Sequence, residues 1–495
     1  MSSFSKEVRE KRMEATKLNR LNYMWINGEK VEGNETMDVI NPATGKVIGI
    51  VPRATKEQTL WALQSAESAF KGWAKLPAES RAAYLMQWAD SLLLHQKKLA
   101  EIIVEEQGKP INEALGEIFG SALIIRWYAE EGKRAYGEIL PASNIDQKLM
   151  VMKQPVGVVG LITPTNMPAG TVIRKTAAAL AAGCTFVLKP APETPRTSVA
   201  LIQYLMETGI PAGVANLVIG DEDVVGKVLI EDARVRKISF TGSTAVGKQI
   251  MQEAASTMKR LSLELGGNCP AIVFPDADVD KAVEAIFNNK FENSGQVCNG
   301  INRIYVHESI EAEFSEKFTE KVNQLKVGNG FDPDVQIGPL VAKSYLDKVE
   351  RLVEDAHASG AKVLAGGRRL TEGDFSEGNF YAPTVLTNLT EEMSIIKEEI
   401  FGPVAPILTF ENELEVVAKS NDTSYGLAAY FFSQDISRIY RLIDGLEAGG
   451  IGVNGTSLAY VQSPFGGVKE SGIGKEGGHH GLTEYLELKY VALSY

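Results

Sequence analysis

Cysteine is scarce: three in 495 residues. Cys184, Cys269 and Cys298 are odd in number and far apart, which excludes a disulfide framework or a cysteine metal cluster and makes a reducing, cytoplasmic setting the expectation. Histidine is scarce too. His95, His307, His357, His479 and His480 form no ligand motif, so no metal site is expected and a general base would have to be another residue. Apolar runs long enough to span a membrane are missing, and residues 1–11 are polar and charged rather than signal-like. Positive charge is also short. With 51 Lys and Arg against 63 Asp and Glu, the net charge of −12 argues against a nucleic-acid partner. There is no internal repeat and no low-complexity segment.

What remains is an ordinary globular composition, 44% hydrophobic and 23% charged, in a chain too long for one core. A polar tail leads into short strands up to about residue 60, with turn signals at Asn27-Gly28 and Asn41-Pro42. Helical spacing follows from Lys56 to about Tyr136, with Thr55 as its cap. From Gln154 strand and helix alternate: strands over 156–162, 185–188, 216–219, 235–240 and 260–265, helices over 170–182, 194–207, 223–230 and 244–255. A second alternating set starts at Pro270, with strands over 271–274, 303–306, 362–365, 384–386 and 404–410. The fold class expected is α/β, two doubly wound domains with a small β element for oligomerisation. The tail, 485–495, alternates like a strand with no obvious partner in its own domain, so pairing across a subunit boundary is expected.

Chemistry concentrates at the carboxyl ends of these strands, where such sheets bind ligands. Cys298 lies in a polar loop, Phe291 to Asn299, between a helix and a strand; reactive residues favour such loops, whereas a structural cysteine prefers aliphatic neighbours. Glu264 ends an apolar strand, where a partly desolvated carboxyl suits base catalysis. Asn166 sits between Pro164 and Pro168 in a stiffened loop and is placed to act as an oxyanion donor. Lys189 ends another strand, fit for ribose or phosphate, and Thr241-Gly242-Ser243 opens a helix whose first amides suit a pyrophosphate. Glu398-Glu399 precedes Phe401, a carboxylate with an aromatic wall. Each stretch taken singly also has a plain structural reading: a snorkelling lysine, a capping glutamate, a turn asparagine, a simple βα turn, a solvated charge pair.

Taken together and in this order, Asn166, Lys189-Pro190, Phe240-Thr241-Gly242-Ser243, Glu264-Leu265-Gly266-Gly267, Gly295-Gln296-Val297-Cys298, Glu399-Ile400-Phe401-Gly402-Pro403 and Pro464-Phe465-Gly466-Gly467 resemble the aldehyde dehydrogenase superfamily over nearly the whole chain. The resemblance implies oxidation of an aldehyde to its acid. Cys298 attacks the aldehyde, Asn166 and the Cys298 backbone N–H hold the oxyanion, and Glu264 activates water against the thioester. It implies NAD as cofactor, with NADP left open, bound by Ile162, Thr163, Lys189, Glu193, Gly242, Ser243, Gly247, Leu265, Glu399 and Phe401. It also implies a dinucleotide domain over 1–138 and 154–265, a catalytic domain over 266–465, and oligomerisation strands over 139–153 and 483–495 in a homodimer or homotetramer.

Within the family the chain is most similar to succinate-semialdehyde dehydrogenases, through Glu130 to Gly137, Gln154 to Val158 and Glu484 to Tyr490. Arg174 matches an arginine those enzymes use for the distal carboxylate, and a planar guanidinium suits that task. The implied substrate set is Arg174, Met167, Thr165, Glu292, Tyr460 and Phe465. Three departures stand out. Glu292 replaces a second arginine six residues before the nucleophile and would repel an anion if it faced the pocket. Ala459-Tyr460 falls where a small serine is expected, and Glu193 comes one place later than the glutamate of NAD-preferring relatives. The expectation is a small, anionic aldehyde. The alternatives are a coenzyme A-acylating enzyme, for which Thr165 argues and Glu264 argues against, a general aliphatic or hydroxy-aldehyde (lactaldehyde-like) dehydrogenase, and a non-catalytic binding protein on this fold. Gly300, where redox-regulated relatives carry a second cysteine, removes a disulfide switch at that loop.

Overall fold

The computed structural model describes residues 22–495, so the polar tail expected before them lies outside the described residues. The chain forms an α/β structure around two large sheets. The first has five central parallel strands: Arg260–Glu264, Val235–Thr241, Val158–Ile162, Thr185–Lys189 and Ala215–Leu217, in that spatial order. Their near-continuous burial is what a sheet covered on both faces requires. Its two edges are antiparallel, which the strand–helix alternation did not predict. Met24–Ile26 and Glu29–Val31 form a hairpin on one side, turned by left-handed Asn27 and Gly28, and Gly472–Ile473 returns from far along the chain to pair with Arg260–Glu264. The hairpin falls where short strands and the Asn27-Gly28 turn are expected, whereas the two-residue strand Gly472–Ile473 carries too little periodicity to announce itself.

The helical stretch after Lys56 divides into Lys56–Lys75, Ala78–Leu94, Gln96–Gln107 and Ile111–Glu131. Thr55 caps the first in a reciprocal box with Gln58, satisfying amides that the helix itself cannot. Gly170–Ala182 ends at left-handed Gly183, as its glycine predicts. The helix expected over 223–230 instead opens as a π-helical turn, Glu222–Gly226, before Lys227–Glu231.

The second sheet has the spatial order Lys362–Ala365, Thr384–Thr387, Val404–Phe410, Ile301–His307, Cys269–Val273, Ala428–Phe432, Gly450–Val453, parallel except at its first pair. Its last two strands were not read from the sequence. Its core is packed on both faces, with Ile272, Tyr305 and Phe431 on one side and Ile304, Ala405 and Tyr430 on the other.

One expectation is corrected. The terminal strand, Leu486–Ser494, has a partner in its own chain: it pairs antiparallel with all nine residues of Gln147–Pro155. With Glu138–Leu140 they make a three-stranded sheet, and the tail forms its edge.

Candidate active site

The carboxyl end of Arg260–Glu264 delivers Glu264, and the loop after Val158–Ile162 delivers Asn166. Cys298 arrives differently. After helix Val279–Phe291 the chain turns through Asn293, Ser294 and Gly295, three successive left-handed residues. Gly295 is needed, since a Cβ there would strike the carbonyl of Gly402. The turn is braced throughout. The Ser294 hydroxyl donates to the Gly338 carbonyl at 3.0 Å, Gln296 Nε2 to the Asn293 carbonyl at 3.1 Å, and the Val341 N–H to Gln296 Oε1 at 2.9 Å.

The same turn locks Asn166. Its Nδ2 donates to the Gln296 carbonyl at 2.9 Å, while Asn293 Nδ2 donates back to the Asn166 carbonyl at 3.0 Å. An amide nitrogen has two N–H groups, so one fixes the side chain and the other stays available. The Cys298 backbone N–H has no intramolecular acceptor among the described residues, which leaves a second donor beside the thiol.

Cys298, Glu264, Asn166, Arg174, Met167, Glu292, Tyr460 and Phe465 all line one cavity of about 880 Å³. Thr165 is buried and is not on its wall. Glu264 is 3% exposed, and neither carboxylate oxygen has a hydrogen-bond partner. Burial, then the Glu476 carboxylate, raise its carboxyl well above the usual range, against Lys175, Lys475 and Arg174. Gly466 leaves it room, since a Cβ there would crowd Glu264 Oε1 at 2.6 Å. The Cys298 thiol is half-exposed to the cavity, yet the surrounding protein, Glu399 and Glu264 push it upward. In this state it is a thiol that needs a base. Arg174 has a buried Nη1 with no partner, and its guanidinium lies 5.6 Å from the centre of the Phe465 ring. Glu292, six residues before the nucleophile, does face the cavity.

The other candidates gather at the strand ends. Thr163 follows Ile162 and donates its N–H to the Lys189 carbonyl at 3.2 Å. Lys189 is 1% exposed with no side-chain hydrogen bond among the described residues; burial lowers its pKa while Glu222 and Glu193 oppose the shift. Burial raises the Glu193 carboxyl. Ser243 caps helix Thr244–Ala254 by accepting from the Val246 N–H at 3.3 Å, the Leu265 side chain lies against Gly247, and the Gly242 N–H donates to the Glu264 carbonyl at 3.1 Å. Glu399 is tethered by the Gly267 N–H at 2.9 Å, and left-handed Phe401 packs on Tyr345. A buried ammonium with no bound partner, a helix opening onto free amides and a fixed carboxylate fit a dinucleotide, with Lys189 and Glu399 placed for hydroxyls and the helix start for phosphate.

Several residues on the wall escaped sequence reading. Lys109 and Glu117 form a buried pair at 2.5 Å, and Glu117 Oε1 also accepts the N–H groups of Ala169 and Gly170 at 2.8 and 2.9 Å. Glu476, on the wall, pairs at 2.5 Å with Lys175 buried behind it. Glu113 Oε2 accepts the Asn293 N–H at 2.8 Å. The available signal was Glu113 and Glu117, four apart on one helix face with Gly116 and Gly120. Among the described residues no group of three or more His, Cys, Asp or Glu is arranged to hold a metal ion, and no helix is long and apolar enough to cross a membrane.

Comparison with known proteins agrees with this geometry. The model of the aldehyde dehydrogenase family matches residues 25–491. A glutarate-semialdehyde dehydrogenase of Pseudomonas putida is 46% identical over 472 residues, 95% of this chain and 97% of that one. An NADP-dependent succinate-semialdehyde dehydrogenase of Escherichia coli is 46% identical over 470 residues, 94% and 97% of the two chains. The solved structure of a succinate-semialdehyde dehydrogenase from Burkholderia pseudomallei superposes with a TM-score of 0.94 at 43% identity, covering 96% and 98%. The chain therefore belongs to the aldehyde dehydrogenase family, as an oxidoreductase that oxidises aldehydes with NAD or NADP.

Proposed function

We propose that this enzyme oxidises a small aldehyde bearing an anionic group at its far end, of the semialdehyde kind, to the carboxylic acid. The observation that carries this reading is Arg174. A guanidinium whose Nη1 is buried without a partner, in the cavity shared by Cys298, Asn166 and Glu264, is poised for an anionic ligand. The relatives named for succinate and glutarate semialdehydes support it.

Chemistry follows from the positions. Cys298 Sγ gives up its proton to Glu264, which passes it on to solvent, and the thiolate bonds to the aldehyde carbon. The carbonyl oxygen gains charge and is met by the free Asn166 N–H and the Cys298 backbone N–H; removal of one such donor typically costs ~3 kcal/mol. The bound nicotinamide supplies the hydride acceptor. On this chain a thioester at Cys298 remains, and Glu264 takes a proton from the water that cleaves it. A carboxyl raised by burial is a stronger base than a solvated one, and its two unbonded oxygens leave it free to receive that proton. Glu264 on the cavity wall favours hydrolysis over transfer to coenzyme A.

In this reading residues up to 138 together with 154–265 hold the dinucleotide, and 266–465 carry the nucleophile. The open edge of Leu486–Ser494, with exposed Leu488, Tyr490 and Leu493, supports a homodimer or homotetramer. Three unpaired cysteines suit a reducing cytoplasm. The test is reduced-nicotinamide formation with succinate semialdehyde beside butanal, each with NAD and with NADP. The expected result is a kcat/KM at least about tenfold higher for the semialdehyde. Equal or better turnover of butanal would overturn the anionic assignment.

A further inference from the structure

The cavity wall opposite in charge to Arg174 has no counterpart in a substrate that carries only an anion. Glu292 faces the cavity and is exposed to it, and among the described residues its carboxylate makes no hydrogen bond and no ion pair. Glu113 lies beside it: its Oε2 accepts the N–H of Asn293, the residue following Glu292, at 2.8 Å, and its other oxygen is unbonded. Two different elements deliver this pair, the first turn of Ile111–Glu131 and the end of Val279–Phe291. Of the other acids on the wall, Glu264 is the proposed base, and Glu117 and Glu476 are occupied. Glu117 holds Lys109 and two backbone amides, and Glu476 holds Lys175.

A carboxylate is an acceptor with up to four lone-pair sites, and it is costly to hem in without a donor. The protein around Glu292 and Glu113 raises both carboxyls: Glu113 is pushed up to about 7 by burial, with Glu292 adding to the shift, and Glu292 is raised by its surroundings and then by Glu117. Lys109 pulls in the other direction for both, but its ammonium is committed to Glu117. There is also space to use. Gly116 and Gly120 lie on the same helix face as Glu113, and a Cβ at either would meet nothing within 4 Å. Glu264, 3% exposed with both oxygens unpartnered, opens into the same cavity and marks it as a place built for a ligand rather than a chance gathering of acids.

Resting on the anionic reading above, we infer that the substrate carries a hydrogen-bond-donating group, a hydroxyl or an ammonium, in addition to its anion, and that Glu292 with Glu113 receives it. Arg174 then selects the anion, and Glu292 selects against aldehydes that offer an anion alone. A donor between the two acids converts what would be repulsion of a plain semialdehyde into a charge-assisted contact.

Four probes separate the possibilities: butanal, succinate semialdehyde (4-oxobutanoate), 2-hydroxy-4-oxobutanoate and 2-amino-4-oxobutanoate, each assayed for kcat/KM with wild type, Glu292→Gln and Arg174→Gln. The expected wild-type result is that a 2-substituted probe exceeds succinate semialdehyde by about tenfold. Preference for the amino probe identifies an ammonium, and preference for the hydroxy probe a hydroxyl. Glu292→Gln is expected to collapse that ratio by raising KM for the substituted probe while turnover of succinate semialdehyde rises; Arg174→Gln lowers kcat/KM for every anionic probe. Thermal melting of each variant separates misfolding from loss of contact. Succinate semialdehyde equal to or better than both substituted probes, or a ratio unmoved by Glu292→Gln, overturns the inference and leaves the anionic assignment standing. Butanal as the best substrate, or no turnover of any probe, overturns both.

Discussion

Glu264 is a buried carboxylate and Glu399 a partly exposed one, each at a strand or turn feeding the cleft, and the surrounding protein raises both carboxyls. They differ in what holds them. Glu399 accepts the Gly267 N–H at 2.9 Å and packs against Gly266, so one oxygen is fixed. Glu264 has no hydrogen bond on either oxygen. A tether costs mobility but supplies orientation, which suits a group that must present itself to a ligand hydroxyl. An unbonded buried carboxyl is costly, and that cost is retained where a group must pick up and release a proton. In the proposed function it is the tether that distinguishes Glu399, assigned to binding, from Glu264, assigned to catalysis.

The largest effect that would sharpen this contrast is Glu264→Gln. It preserves shape and removes the base, so steady-state acid formation is expected to fall by about 10²–10⁴. Formation of the thioester does not need Glu264 once the thiol is ionised, so mixing with substrate should still give a burst of reduced nicotinamide near one per active site, read by stopped flow at alkaline pH. Unchanged steady turnover would remove Glu264 from the hydrolytic step. Glu399→Gln comes next. An amide at that position keeps an oxygen for the Gly267 N–H but loses charge, so the expectation is a rise of about tenfold in KM for the dinucleotide with a smaller change in kcat. A burst-type defect in this variant, like that of Glu264→Gln, would erase the distinction drawn from the tether.

Much of the site was legible because it depends on local positions. A residue at the carboxyl end of a parallel strand is placed near the cleft, so strand–helix alternation offers Glu264, Lys189 and Ser243 as candidates and two prolines offer Asn166, while the family resemblance is what singles them out from their plain structural readings. Cys298 was legible from its polar loop. What escaped depends on which elements meet. The helix carrying Glu113 and Glu117 reads as packing surface, and only its approach to the Asn293 and Ala169 amides turns it into a wall of the cavity. The direction of Glu292 is set by the left-handed turn that follows it, and no periodicity encodes that. Likewise the edge strand Gly472–Ile473 is too short for a pattern, and the terminal strand's partner, Gln147–Pro155, lies more than 300 residues away in the chain.

Glu113 stands between the two carboxylates of the comparison, with one oxygen tethered to the Asn293 N–H and the other facing the cavity, and it yields the smallest and most specific prediction. In the folded protein its carboxyl is pushed up to about 7, from an ordinary value of 4.5, by burial first and then by Glu292 and Glu117 against Lys109. Between those two values the folded state holds a proton that the unfolded chain releases. Stability therefore carries a contribution that is full at low pH and declines as pH rises through the window from 4.5 to about 7. Glu113→Gln cannot titrate, so its melting temperature should lose that part of the downward slope and meet or exceed the wild-type value near neutral pH. The effect is a few degrees at most for a chain of this size. Thermal melts of both proteins at half-unit steps from pH 5 to 8 measure it. Parallel curves would mean that Glu113 holds no extra proton in the folded state over this range, and that its tether to Asn293 offsets its burial.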